Sequence, residues 1–216
     1  MITLYHCNDA RSFRCLWLLE EMKLPYEAKI MDFPPRIHAP EYLRVNATGS
    51  VPCLQDGATT LNESAAILEY LATRYPSGGL AVARDDADYG QWLNWLHFGE
   101  ASLTTPLATL MRYAYFEPPE RRQPAVVADY REFFFNRLAL VESALQQHDY
   151  LVADRFTAAD ISVGYALLLS RLVGLQPDLP PAVLSYWARL QERPAFKAAK
   201  QVQKAWSSRQ AEAASA

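Results

Sequence analysis

Two short motifs hold the polar groups of this chain best placed to grip a ligand. Residues 48–53 read TGSVPC and residues 62–64 read NES. An X-Pro bond such as Val51–Pro52 adopts the cis form at modest cost, and a cis bond turns the preceding main chain outward. Main-chain N–H and C=O groups facing solvent there can pair with an extended, peptide-like ligand. Glu63 and Ser64 stand where a helical pattern begins, and a helix start offers unpaired N–H groups and a positive dipole end to a carboxylate. Together the two motifs suit a small γ-linked peptide with amino and carboxylate ends. Taken singly, each is also an ordinary loop exit or helix start.

Composition narrows what such a site could serve. The chain has 216 residues, 50% of them hydrophobic, enough for one large core or two smaller ones. A net charge of -3 gives no basic excess, so nucleic acid is not an expected partner. The longest apolar run, around residues 165–169, is too short to span a bilayer, so no membrane partner is expected. The opening MITLYH reads as a strand and lacks the charged-then-apolar order of a secretory signal, which points to the cytoplasm. Cys7, Cys15 and Cys53 form no CxxC pair and fit a reducing compartment. His6, His38, His97 and His148 are scattered without an i, i+4 partnership, so no metal is expected.

The elements that must carry the motifs follow from periodicity. Residues 2–6 read as a strand and residues 26–31 as another. Between them, Cys15, Leu18, Leu19 and Met22 form one helical face, while Phe13, Leu16 and Trp17 form a second. A helix apolar on two sides is buried between layers, and strand–helix–strand at this length is a right-handed βαβ unit. Residues 32–46 are irregular, with a short helix near 41–44. Residues 52–55 and 59–61 make a hairpin around Asp56-Gly57. A helix over 64–75 follows, stopped by PSGG at 76–79. Beyond residue 85 the strand signals vanish. Long helices are expected over 89–115 and 125–148, with others opening at Thr157, near Pro181 and near Pro194. Thr157 and Asp160 form a capping box, with Phe156 and Ile161 as a hydrophobic staple. The helix behind it, with Ile161, Leu168 and Leu172 on one face, is the expected centre of the second domain.

Four features agree in order and spacing: the LWLLEE segment at 16–21, the Val51–Pro52 step, the Glu63–Ser64 pair and the TAAD box at 157–160. In this arrangement the chain resembles the cytosolic glutathione transferases over nearly its whole length. The expected fold class is α+β. A thioredoxin-like βαβ-ββα domain at 1–77 leads through a linker at 78–88 to an all-helical domain at 89–210, with a frayed tail at 211–216. The resemblance implies that Val51 exchanges main-chain hydrogen bonds with the cysteinyl unit of glutathione and that Pro52 is the cis residue exposing that main chain. It implies that Glu63 holds the amino group, and Ser64 the carboxylate, of the γ-glutamyl end. Arg36 or His38 could reach the glycyl carboxylate, and Arg36 has the better, bidentate geometry.

Catalysis in this family needs the glutathione sulfur as a thiolate. A hydroxyl or thiol hydrogen bond and a helix N-terminus both lower a thiol pKa. Related sequences place Ser, Tyr or Cys at or just before the first helical turn. Here that region reads CNDARS at 7–12, and Ala10 stands where many relatives carry Ser. Ser12 and Asn8 are then the candidate catalytic donors. Asp9 would raise the pKa of a neighbouring thiolate and is read as the N-cap, Arg11 as a nearby cation, Cys7 as a possible reactive thiol, and Cys15, Cys53 and Tyr5 as packing residues. Family analogy puts the hydrophobic substrate near Leu107, Met111, Arg112 and Tyr113, with Arg112 able to meet an anionic group. The implied activity is conjugation of the glutathione thiolate to small hydrophobic electrophiles, with glutathione as co-substrate and detoxification as the broad role. Two alternatives stay open: a glutathione-dependent isomerase, peroxidase or disulfide reductase, and a non-catalytic glutathione-binding or regulatory protein. A C2 homodimer is expected, since the aromatic long helix and doubly apolar first helix offer more apolar surface than one chain needs.

Overall fold

The computed structural model describes residues 1–75 and 78–214, with side chains as far as Ser208. β1 (Ile2–His6), α1 (Phe13–Met22) and β2 (Tyr26–Ile30) form the βαβ unit, with β1 and β2 parallel. A short helix, α2 (Pro35–His38), and a 3₁₀ turn at Pro40–Arg44 fill the irregular stretch. β3 (Cys53–Asp56) and β4 (Thr59–Leu61) then make an antiparallel hairpin, and β3 also pairs antiparallel with β1. The sheet order is β2-β1-β3-β4, a thioredoxin-like arrangement completed by α3 (Ser64–Arg74).

Among the described residues the remaining elements are helical, chiefly α4 (Tyr89–Phe98), α5 (Thr105–Met111), α6 (Pro124–Leu145), α7 (Ala158–Leu172), α8 (Pro181–Glu192) and α9 (Pro194–Ala214). The long helix expected over 89–115 is helical but not uniform, because it widens into π-turns at Gly99–Thr104 and Arg112–Phe116. Pro106 lacks an N–H for the ladder, and just before it the hydroxyls of Thr104 and Thr105 donate to the carbonyls of Gly99 and Glu100, five residues back. The expected helix stop at 76–79 falls partly outside the described residues. So does the end of the expected tail, since α9 runs to Ala214 and residues 215–216 are not described.

By packing, the chain forms two compact units, one of residues 1–78 with 190–216 and the other of residues 79–189. α9 therefore belongs with the sheet, although it follows the other helices along the chain. In the first unit α1 is buried from Phe13 to Leu19, and Phe196 of α9 sets its ring edge-on against Phe13 and Trp17, with centroids 5.4 and 5.0 Å apart. Arg193 clamps Glu21 through two hydrogen bonds of 2.6 and 2.8 Å.

In the second unit the capping box is present at the start of α7. Asp160 Oδ2 accepts from the Thr157 N–H at 2.8 Å, and Asp160 Oδ1 accepts from the Leu151 N–H at 3.1 Å and the Tyr186 hydroxyl at 2.8 Å. Ile161 and Leu168 are buried as expected. Leu172 is not: it is 45% exposed, because α7 is buried all round from Ala158 to Ser170 and emerges only at its last turn. Among the described residues no helix is long and apolar enough to cross a membrane.

Candidate functional site

The loop before β3 is built to hold its main chain still. Val51 and Pro52 are buried, and the bond between them is cis. The ladder to β1 begins at Cys53, opposite Tyr5, which leaves the N–H and C=O of Val51 outside the sheet. The carbonyl of the preceding Ser50 accepts two hydrogen bonds, from the Tyr42 hydroxyl at 2.8 Å and the Asn46 amide at 2.9 Å. Asn46 Oδ1 in turn accepts from the N–H and hydroxyl of Thr48. Gly49 has φ +59°, and a Cβ there would lie 2.7 Å from the Cβ of Arg36. Only glycine fits this close approach without strain. The approach packs α2, with its exposed Arg36 and His38, against the loop that carries Val51. The sequence pointed to Val51 and Pro52 but not to Asn46 and Tyr42, whose hold on the Ser50 carbonyl is visible only once the loop has closed.

The second motif sits at the N-terminus of α3. Glu63 is the N-cap, with extended backbone (φ -97°, ψ 119°) and an exposed side chain that makes no capping hydrogen bond. Ser64 begins the helix and is 2% exposed. Its Oγ accepts from Nη1 of Arg14 at 3.2 Å, which leaves the hydroxyl proton for an incoming acceptor. Arg14 is wholly buried in α1 between Phe13 and Cys15. A guanidinium cannot shed its proton, so a positive charge stands behind the helix N-terminus and adds to its dipole. Sequence reading missed Arg14. The available signal was a lone charge inside a helix that is apolar on two sides, since such a charge must find a partner.

The turn at residues 7–12 differs from the sequence expectation at several points. Asp9 is not the N-cap. The chain passes through Asp9 at φ 52° and tightens by Ala10 N–H to Cys7 C=O and Phe13 N–H to Ala10 C=O bonds, so that regular helix begins only at Phe13 with Ser12 in the cap position. The Asp9 carboxylate instead binds the ammonium of Lys200 on α9. Ser12 is wholly buried, and its Oγ lies 2.7 Å from Nδ1 of His6 and accepts from the Cys7 N–H at 3.3 Å. Asn8 is exposed, and its amide donates to the Ser207 hydroxyl at 2.8 Å. Burial and the nearby Lys200 charge hold the His6 pKa down at about 3, so the ring is neutral at physiological pH.

The cysteines are free and buried. Burial pushes the Cys7 thiol up to about 12, with a smaller contribution from Asp32. The expectation of a reactive Cys7 therefore fails, because a buried thiol without a cationic neighbour stays protonated. Cys15 and Cys53 are raised in the same direction by burial. The residues expected at the hydrophobic substrate lie along α5 and the turn after it in the second unit. Leu107 is buried, Met111 and Tyr113 are half-buried, and Arg112 is exposed, with its Nε 2.7 Å from Oε1 of Glu117. That ion pair would have to open for Arg112 to meet an anionic group. Among the described residues no group of three or more His, Cys, Asp or Glu gathers as metal ligands would.

Comparison with known proteins gives one consistent result. The family description "Glutathione S-transferase, N-terminal domain" matches residues 10–74, and "Glutathione S-transferase, C-terminal domain" matches residues 103–194. Glutathione S-transferase 3 of Schizosaccharomyces pombe is 31% identical over 211 residues, covering 92% of this chain and 86% of its own length. Glutathione S-transferase GstB of Escherichia coli is 30% identical over 204 residues, covering 91% of this chain and 96% of its own length. The sphingomonad glutathione S-transferase solved in complex with glutathione is similar in structure, with a TM-score of 0.82 at 29% identity over 94% of this chain and 98% of that one.

Proposed function

Because the chain belongs to the glutathione S-transferase family, we propose that it binds glutathione on its first unit and joins the glutathione sulfur to a small hydrophobic electrophile. The observation that carries this reading is the Ser64 hydroxyl at the α3 N-terminus. It is held from behind by a buried guanidinium and flanked by the exposed carboxylate of Glu63. Helix dipole, main-chain N–H groups and Arg14 all favour an anion, while Glu63 favours an ammonium group beside it. An α-amino acid end has that pair of charges. Val51 presents main-chain groups at the other motif, where an extended peptide unit can pair, and Arg36 serves the far carboxylate.

In this reading the bound thiol loses its proton to solvent at the turn of residues 7–12. The Ser12 hydroxyl is engaged by His6, so the donors assigned to the sulfur are main-chain N–H groups at the start of α1, together with the exposed Asn8 amide. The thiolate then attacks an electrophilic carbon. A C–S bond forms, and either a leaving group departs with its electron pair or, in addition, the neighbouring carbon takes a proton. Holding sulfur and carbon together supplies much of the acceleration. The residues proposed for the electrophile, on family resemblance, are Leu107, Met111, Arg112 and Tyr113, and the broad role is detoxification.

Titration calorimetry with glutathione tests the site. Wild type should bind, Glu63→Ala should weaken binding by roughly tenfold or more, and Ser64→Ala should do the same, each by loss of a charge-assisted hydrogen bond. Undiminished binding by both variants would show that the ligand sits elsewhere. The homodimer expected from the doubly apolar first helix and the aromatic long helix is also part of the proposal, exposed Phe133 and Leu140 of α6 being further apolar surface, and a monomeric mass by sedimentation at micromolar concentration would remove it. The three unpaired thiols suit the reducing cytoplasm.

A further inference from the structure

We infer that α9 sets the main chain of the turn at residues 7–12, with Gln203 and His6 as its positioning residues. The inference rests on reading that turn as the place where the glutathione thiolate is held.

Three side chains of α9 reach this one turn. Asn8 bonds Ser207, Asp9 binds Lys200, and His6, at the end of β1, lies 2.9 Å from the amide of Gln203. Gln203 is 5% exposed and His6 is fully buried, so both must be satisfied internally. Only one orientation of the Gln203 amide does this. Its carbonyl accepts from the Asp9 N–H at 2.9 Å and from His6 Nε2–H at 2.9 Å, and its amino group donates to Asp9 Oδ1 at 3.0 Å. The reverse orientation would face oxygen to carboxylate and amino group to N–H.

That choice propagates. With the proton of the neutral ring on Nε2, Nδ1 of His6 is an acceptor. The single Ser12 hydroxyl proton then has two possible acceptors, Nδ1 at 2.7 Å and the Cys7 carbonyl at 3.4 Å, and the shorter contact takes it. The Ser12 oxygen is free to accept the Cys7 N–H. The result is one directed chain from the Cys7 N–H through Ser12 and His6 to Gln203, closed by Asp9 and Lys200. It fixes the main chain at Cys7 and Asp9, the residues that flank Asn8 and lead into α1. A turn held at φ 52° by a non-glycine residue needs such support. Gln203 touches no reacting atom in this scheme and acts through Asp9 and His6.

The test is Gln203→Met, which keeps length and apolar bulk but removes the amide, with Ser208→Ala on the same helix as control. Hydrogen exchange at residues 8–12 should rise in Gln203→Met. The pKa of bound glutathione, read by thiolate absorbance, should rise by about one unit, and kcat/KM at neutral pH should fall about tenfold and recover at higher pH. Ser208→Ala should match wild type in all three. A merely structural role for Gln203 would lower Tm but leave the pH profile in place, and that result overturns the inference. If Gln203→Met does not fold, Lys200→Gln is read instead, with shifts expected in the same direction, and an unchanged profile again overturns it. Should wild type fail to bind glutathione, the reading of the site is wrong, and exchange at residues 8–12 alone then decides whether α9 sets the turn.

Discussion

At the residue scale the main finding is a change of role for Ser12. Its type and its place at a helix start suggest a donor to sulfur, but the hydroxyl is buried and bonded to His6. Residue type and local spacing were enough to propose Val51, Glu63 and Ser64, since the chemistry assigned to them is expressed within a few residues of chain. They were not enough for Ser12, because the group that fixes its proton is itself fixed by Gln203, 197 residues from His6 along the chain. The two candidate donors predict different behaviour. Asn8→Ala removes an exposed amide, so the bound-thiol pKa should rise with Tm nearly unchanged. Ser12→Ala removes a buried hydroxyl from a paired network and should lower stability by about 1–2 kcal/mol along with any pKa change. A pKa rise in Ser12→Ala with undiminished stability would restore the direct role of the hydroxyl. Spectroscopic thiolate titration and urea unfolding of the two variants supply both readouts.

At the element scale the α7 start shows how tertiary contacts enlarge a local motif. Read locally, the box at Thr157 and Asp160 is a helix cap, with a value of about 1 kcal/mol. In the fold the Asp160 carboxylate also holds the Leu151 N–H and the Tyr186 hydroxyl, with no exposure to solvent. Asp160→Ala would leave buried donors without an acceptor, and we expect a loss of about 3 kcal/mol or more in urea unfolding. A loss near the cap value would mean that solvent or relaxation satisfies those donors. The helix patterns themselves were legible, since α3, α6, α7, α8 and α9 begin within a residue or so of their sequence signals. The π-turns in the 89–116 stretch were not, because apolar periodicity barely distinguishes a widened turn from a regular one, and a proline next to threonines has many outcomes.

At the scale of the whole molecule, two buried ionisable groups pull stability in opposite directions as pH falls. His6 has its pKa lowered from 6.5 to about 3 by burial and by Lys200, so between those values the unfolded chain binds a proton that the folded one refuses. Its contribution is present above 6.5 and is lost on acidification. Asp160 has its pKa raised from 3.8 to about 6 by burial, against the hydrogen bonds it accepts from Thr157, Tyr186 and Leu151. Its contribution has the opposite sign, growing as pH falls from 6 toward 3.8. The two offset one another between pH 4 and 6. His6→Asn should therefore make the protein relatively more stable as acid is added over that range, and Asp160→Asn relatively less. Denaturant midpoints from pH 4.5 to 8 check both signs, and parallel profiles for the two variants would refute the assignment. By itself the sequence determined the order of strands and helices, because periodicity, capping and turn chemistry act over a few residues, and it pointed to the family through four motifs in order and to the two motifs proposed to grip the ligand. Only the tertiary structure decided that Arg14 backs Ser64, that α9 joins the sheet-bearing unit, and that the turn at residues 7–12 is governed from Gln203. These depend on which distant side chains are brought within hydrogen-bond distance in a buried space, where each polar group must find a partner.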